Sequence, residues 1–394
     1  MNDKSFQVAI NGIGLVSALG NTLNEFFHGL VECKDVQGNI LIFDKNKFED
    51  PVGAPIDSDH FSSDPEKRIL EIGGTAIKNA LKDWGRSLSD YKKIALVVGS
   101  GLGLIDELYY THDSIDRNYL SSLGDKLLDC TNIKGTAIYV GNACSASSQA
   151  VSYGTELLTY GCYDIVIAGG IDIISQTAYA GFMRLNAIDN SKCKPFDKNR
   201  RGIMVGEGAA FFVLEKKYNT DSVFIHNNAY CYVIGCGITN DAYHIVQMKD
   251  DGVGIERAME QAVQQSQLPK SKIDLIIAHG TGTPLNDRIE ADVIHRYLEN
   301  NLDKTCVMSP KGAIGHTGGA SGAMGMLVAI GAFTYGLVPP VLNLTEVDSM
   351  CDIPIVHKQP QSHRVDVAMV NTFAFGGTNV VILLKRIEKG FVYE

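Results

Sequence analysis

Short apolar runs rich in β-branched residues recur along this chain. Each closes on small residues, and segments of helical period lie between them. Val8-Ala9-Ile10 leads into Gly12-Ile13-Gly14, and Ile94 to Val98 leads into Gly99-Ser100-Gly101. Ile138-Tyr139-Val140, Ile165 to Ala168, Phe211 to Leu214, Leu275 to Ala278 and Val365 to Val370 are further runs of this kind. Helical patterns cover 67–84, 145–160, 253–266, 289–299 and 317–335. This alternation restricts the chain to an α/β fold with buried sheets. Glycine gathers at the strand ends, at Gly169-Gly170, Gly280, Gly282 and Gly376-Gly377. Ligands in such folds bind at the carboxyl ends of strands, where backbone must come close. The polar stretch Glu215 to Asp221 is the best internal boundary, and it predicts two α/β halves, 1–217 and 218–394.

Composition narrows the function classes. No apolar run approaches the roughly 18 residues of a membrane span. The N-terminus carries no signal-peptide pattern, so the expected location is cytoplasmic. A net charge of −10 argues against nucleic-acid binding, but a local basic patch for an acidic partner remains compatible with it. Nine cysteines are scattered without a CxxC pair, which disfavours zinc and a disulfide framework; no metal site is expected. A functional cysteine must therefore be recognised by its neighbours.

Cys144 stands out on that criterion. Tyr139-Val140-Gly141-Asn142-Ala143-Cys144-Ser145-Ala146 runs from a strand through small residues into a helical pattern. Cys144 then lies near a helix N-terminus, where unpaired N–H groups and the helix dipole favour thiolate. A structural core cysteine is the alternative. His279 follows a strand in Ala278-His279-Gly280-Thr281-Gly282-Thr283-Pro284, and His316 precedes a helix. Lys311, five residues before His316, is placed to put a cation beside it or to set its hydrogen bonding, or else is a solvated loop lysine. The turn Phe373-Ala374-Phe375-Gly376-Gly377-Thr378-Asn379 offers backbone N–H groups to a ligand oxygen, or is simply a tight hairpin.

In order along nearly the whole chain, these segments resemble the β-ketoacyl synthase branch of the thiolase-like condensing enzymes. Lys194-Pro195-Phe196-Asp197, Gly206-Glu207-Gly208-Ala209 and Asn240-Asp241-Ala242-Tyr243-His244 add to the likeness. The resemblance implies a five-layered αβαβα fold from two similar halves, usually a homodimer. It implies decarboxylative Claisen condensation: an acyl group moves from a phosphopantetheine arm to Cys144, and a malonyl-thioester then loses CO₂ and attacks it. His279 and His316 would stabilise the enolate, and Lys311 would organise His316. The N–H groups of Cys144 and Phe375 would form the oxyanion site. Thr281 and Thr283 would bind pantetheine, and Phe375 would gate the acyl pocket. No cofactor of the enzyme's own is implied. The partner is an acyl carrier protein, which is acidic, so basic residues should flank the entrance. Lys67, Arg68, Lys198, Arg200 and Arg201 are the candidates.

The chain departs from the family pattern in several places. Gly325 stands nine residues after His316, where many fatty-acid synthases carry a glutamate of a buried ion network. Ala374 stands where glycine is usual between the gate aromatics, which predicts a stiffer gate. Arg201 replaces an aspartate, and the stretch from Gly101 to Cys144 is short. These point away from housekeeping elongation and toward polyketide or polyene assembly. Three rivals stay open: a thiolase, a chain-length partner in a heterodimer, and a decarboxylase or acyl-shuttling relative. The absence of a cysteine from 373–379 weighs against the first, and Cys144 with both histidines weighs against the second.

Overall fold

The computed structural model describes residues 6–43, 47–48, 50–56, 59–106, 122–218 and 229–387. Five strands of the first half are β1 (Phe6–Ser17), β2 (Ile94–Gly99), β3 (Thr136–Val140), β4 (Ile165–Asp172) and β5 (Gly208–Tyr218). Five of the second are β6 (Cys231–Asn240), β7 (Leu275–Ile277), β8 (Cys306–Met308), β9 (Val367–Ala374) and β10 (Thr378–Arg386). They form one sheet in the order β8-β7-β9-β10-β6-β1-β5-β4-β2-β3.

Read outward from the centre, the two halves have the same topology. The first runs β1-β5-β4-β2-β3 and the second β6-β10-β9-β7-β8. In each, the two inner pairings are antiparallel and the two outer ones parallel. Three residue pairs join them, Val8 with Val233, Ala9 with Tyr232 and Ile10 with Cys231. Strand β5 ends one residue past the expected division at 217/218, and the following 219–228 lie outside the described residues.

Helices complete the layers. Helices α1 (Leu23–Val31), α2 (Pro65–Trp84) and α3 (Ser122–Thr131) belong to the first half, as do α4 (Ala146–Thr159) and α5 (Gln176–Arg184). Helices α6 (Val253–Ser266), α7 (Pro284–Leu298) and α8 (Ser321–Tyr335) belong to the second. Helices α4 and α8 pack against each other between the two half-sheets, while α2 and α6 cover the outer faces. Helix α8 is buried on every side from Ser321 to Phe333, which explains its apolar sequence without an amphipathic stripe. Strands β2 and β4 are buried along their whole length, as expected for parallel strands covered on both faces. The result is the five-layered αβαβα arrangement.

Two elements differ from the sequence reading. The helix expected at 289–299 begins at Pro284, because Thr283 caps it and proline suits its first turn. Residues Gly318–Ala320 form a separate 3₁₀ turn before α8. Part of the short Gly101–Cys144 stretch, 107–121, lies outside the described residues.

Candidate active site

The nucleophile turn is built by a change of backbone direction. Strand β3 stops at Val140, a single 3₁₀ turn covers Ala143–Ser145, and α4 starts at Ala146. Ala143 has φ +42, a left-handed conformation that costs a non-glycine residue about 1–2 kcal/mol. The strained residue immediately precedes Cys144, at the turn where the chain redirects into α4. Cys144, His279, His316, Thr281, Thr283 and Phe375 line one cavity of about 110 Å³. Phe373 of the expected gate turn, with Phe182 and Met248, which the sequence reading did not single out, completes much of its apolar wall.

The expected thiolate preference is reversed in the resting site. Burial pushes the Cys144 thiol up to about 11, and the Asp172 carboxylate adds to that. Lys311 and the N–H groups of Cys144 and Phe375 act in the opposite direction without winning. Desolvation of the half-buried thiolate outweighs the helix terminus here. Those two N–H groups are nonetheless directed at the sulfur.

Both histidines are held neutral and in one tautomer. Burial and Lys311 depress His316 to about 3 and carry His279 well below its ordinary value. Gly318 N–H donates to His316 Nδ1 at 3.0 Å, with Ser321 Oγ at 3.4 Å. Lys311 Nζ lies 3.3 Å from His279 Nδ1 and donates to the His279 carbonyl at 2.5 Å. With each Nδ1 accepting, each Nε2 carries the proton. The rings are 5.6 Å apart and nearly perpendicular. Lys311 therefore hydrogen-bonds to His279, not to His316, which it reaches only as the nearby cation also expected.

The His279 turn is set by two carboxylates that sequence reading missed. Glu290 accepts from the N–H groups of His279 and Gly280, each at 2.8 Å. Asp287 accepts from Thr281 N–H at 2.9 Å and Phe196 N–H at 2.7 Å. Both are fully buried on α7, three residues apart and so on one face. That i, i+3 spacing just after Thr283-Pro284 was the available signal. Thr281 and Thr283 are joined by their hydroxyls at 2.9 Å, and Thr283 also caps α7.

The gate turn links β9 to β10. Ala374 ends β9 in extended backbone, and the positive φ values fall at Gly376 (+86) and Gly377 (+76). Glycine is thus not required at 374. Phe375 is 41% exposed and packs on Phe182 at 5.9 Å. Gly325 faces strands β9 and β7: a Cβ there would lie 2.9 Å from Val370 Cγ1 and 3.2 Å from Ile277 Cγ2. This apolar, filled position does not fit a cation-binding carboxylate. Among the described residues, no group of three or more His, Cys, Asp or Glu is arranged to hold a metal ion.

Two of the five basic candidates are withdrawn. Arg68 is 1% exposed and ion-paired with Glu207, because α2 turns it inward while its neighbour Lys67 faces solvent. Arg200 is buried against Asp348 and the carbonyls of Asp197, Thr283 and Pro284. Lys67, Lys198 and Arg201 are exposed, Lys198 being paired with Glu346 at 2.8 Å. Cys351 is buried with its sulfur 3.6 Å from the Asp287 carbonyl, outside the cavity lining.

The chain matches the models for the β-ketoacyl synthase N-terminal domain over residues 5–220 and C-terminal domain over residues 230–345. It is 30% identical to 3-oxoacyl-[acyl-carrier-protein] synthase 2 of Synechocystis sp., over 97% of this chain and 98% of that one. Among solved structures it is similar to a β-ketoacyl synthase from Burkholderia phymatum, with 27% identity, a TM-score of 0.86 and coverage of 98% and 100% of the two chains. It is equally similar to the ishigamide ketosynthase/chain length factor, at 27% identity and a TM-score of 0.86, covering 97% and 100%. Matched domain models over both halves, with the same duplicated topology around one cysteine–histidine cavity, mean that the chain belongs to the β-ketoacyl synthase family.

Proposed function

We propose that this enzyme condenses an acyl group held on Cys144 with a malonyl group on an acyl carrier protein, releasing CO₂ and a 3-ketoacyl-carrier. The observation that carries this is the pair of Nε2–H donors, on His279 and His316, sharing a cavity with the Cys144 sulfur. Cys144 attacks the incoming thioester carbonyl, whose oxygen takes the N–H groups of Cys144 and Phe375. The carrier leaves as a thiol, which balances the proton lost from Cys144. The malonyl thioester oxygen then sits between the two imidazole N–H groups. Loss of CO₂ leaves an enolate that they stabilise, and its carbon attacks the acyl-cysteine. The sulfur departs as a thiolate and takes up a proton from solvent, which balances the negative charge brought in by the malonyl carboxylate. Each lost oxyanion donor should cost about 10²–10³ in rate. Thr281 and Thr283 would hold the pantetheine arm.

The cavity of about 110 Å³ is walled in part by Phe375 packed on Phe182, and movement of that ring would widen it for a longer chain. The filled Gly325 position supports a specialised polyketide or polyene role over ordinary elongation. Intact-mass analysis with acyl and malonyl carriers tests the whole reading. An acyl adduct absent from Cys144→Ala, followed by a two-carbon extension, is expected. No adduct with any carrier would favour an accessory role in a heterodimer, a reading supported by the similar ketosynthase/chain length factor structure. Efficient extension of saturated chains on a fatty-acid carrier would refute the specialised role.

Dimerisation is part of the proposal. Among the described strands β3 is one of the two edges of the sheet, and its Ile138, Tyr139 and Val140 line a surface groove with Tyr153 and Ile238. A second family chain is the expected occupant. A monomer at every concentration in sedimentation equilibrium would contradict this.

A further inference from the structure

Asp172, the last residue of β4, takes no part in the steps above and is 1% exposed. Ser100 Oγ–H and Leu102 N–H donate to its Oδ1, while Gly101 N–H and Gly319 N–H donate to its Oδ2. Two donors on each oxygen occupy the acceptor sites of a carboxylate. Ser100 Oγ itself accepts from Gly103 N–H at 2.8 Å, so its own proton points to Asp172. The hydrogen bonds leave no place for a proton on this group, and Asp172 is held as an anion although burial raises its pKa.

The four bonds tie three pieces of chain that border the site. Residues 100–102 follow β2, and a Cβ on Gly101 would lie 3.1 Å from the carbonyl oxygen of Ala143, the strained residue before Cys144. Gly318 and Gly319 follow His316, and Gly318 N–H is the donor that sets the His316 tautomer. The nucleophile comes from one half of the molecule and His316 from the other. Asp172 is bonded to the segment beside each.

We propose that Asp172 is a positioning residue of the condensing site, fixing the Cys144 turn against the His316 turn through the backbone it anchors. This rests on the roles given above to Cys144 and His316. The charged and titratable groups around the sulfur are Asp172 from β4, Lys311 beside His279, and the neutral His279 and His316; Tyr139 of β3 faces Asp172.

The test is Asp172→Asn in the full chain, read by decarboxylation of malonyl carrier and by the pH dependence of Cys144 alkylation with iodoacetamide. The kcat should fall about 10–100-fold with KM changed by no more than about twofold. The alkylation midpoint should move to lower pH, because an anion beside the sulfur is gone. Asp172→Glu should restore the midpoint and part of kcat. Wild-type kcat, or a folded Asn variant with an unmoved midpoint, would overturn the proposal. If the Asn variant does not fold, Ser100→Ala removes one donor and should lower kcat several-fold at constant KM; unchanged kcat overturns it equally. Absence of decarboxylation by the wild-type protein would instead defeat the functional reading, and the alkylation midpoint would still decide the role of Asp172.

Discussion

His316 shows how one buried side chain links catalysis to stability. Its ordinary value near 6.5 drops to about 3 in the folded protein. Below pH 6.5 the unfolded chain takes a proton that the native site refuses, so stability is lost as the pH falls. At pH 5 His316 alone should remove about 2 kcal/mol, and His279 acts in the same direction. The fall in urea midpoint between pH 7 and pH 5 should therefore be smaller in His316→Asn than in the wild type; equal falls would contradict the depressed value. The same neutrality serves the chemistry, since a neutral Nε2–H stabilises an enolate without first becoming charged. The cost is that both imidazoles and the lysine are buried, and the half-buried Cys144 rests as a thiol.

At the scale of elements, buried charge ties helices to strands. Glu207, just before β5, receives Arg68 Nε of α2 at 3.0 Å, Ile56 N–H at 2.8 Å and Ile174 N–H at 3.2 Å. Arg68→Ala would leave that carboxylate buried and unpaired, at a cost of about 3–5 kcal/mol. A carrier-docking arginine on the surface would cost less than about 1 kcal/mol when removed, so urea unfolding of the variant separates the two roles. Sequence reading took Arg68 for a surface residue because it adjoins Lys67. Neighbours on a helix point about 100° apart, and only the packing of α2 on β1 and β5 decides which is inside. Asp287 and Glu290 were overlooked for the converse reason: charged residues early in a helix read as solvated until the turn they support is seen.

The whole molecule is acidic, yet its proposed partner is acidic too. Attraction must then be local, and Arg201 is the exposed basic residue beside buried Arg200. Arg201→Glu should raise the KM for carrier-bound substrate at low salt. The effect should fade as screening shortens from about 10 Å at 0.1 M to about 3 Å at 1 M salt. A KM identical to wild type across that range would remove Arg201 from the docking surface. The duplicated topology explains why the site forms where it does. Each half brings its own part of the site, and the nucleophile of the first half meets the histidines of the second in one cavity.

The fold class was legible in the sequence, and Cys144, His279, His316 and Phe375, each singled out there, line one cavity. Strand-end glycines and helix-start patterns are local, and local sterics leave them few alternatives. Which groups those residues touch was decided only by the tertiary structure. Lys311 turned to His279, Arg68 and Arg200 turned inward, and Asp172 joined two halves far apart in sequence. The thiol of Cys144 rose instead of falling. These outcomes depend on desolvation and on long-range contacts, which come into being only when the sheets close over the site.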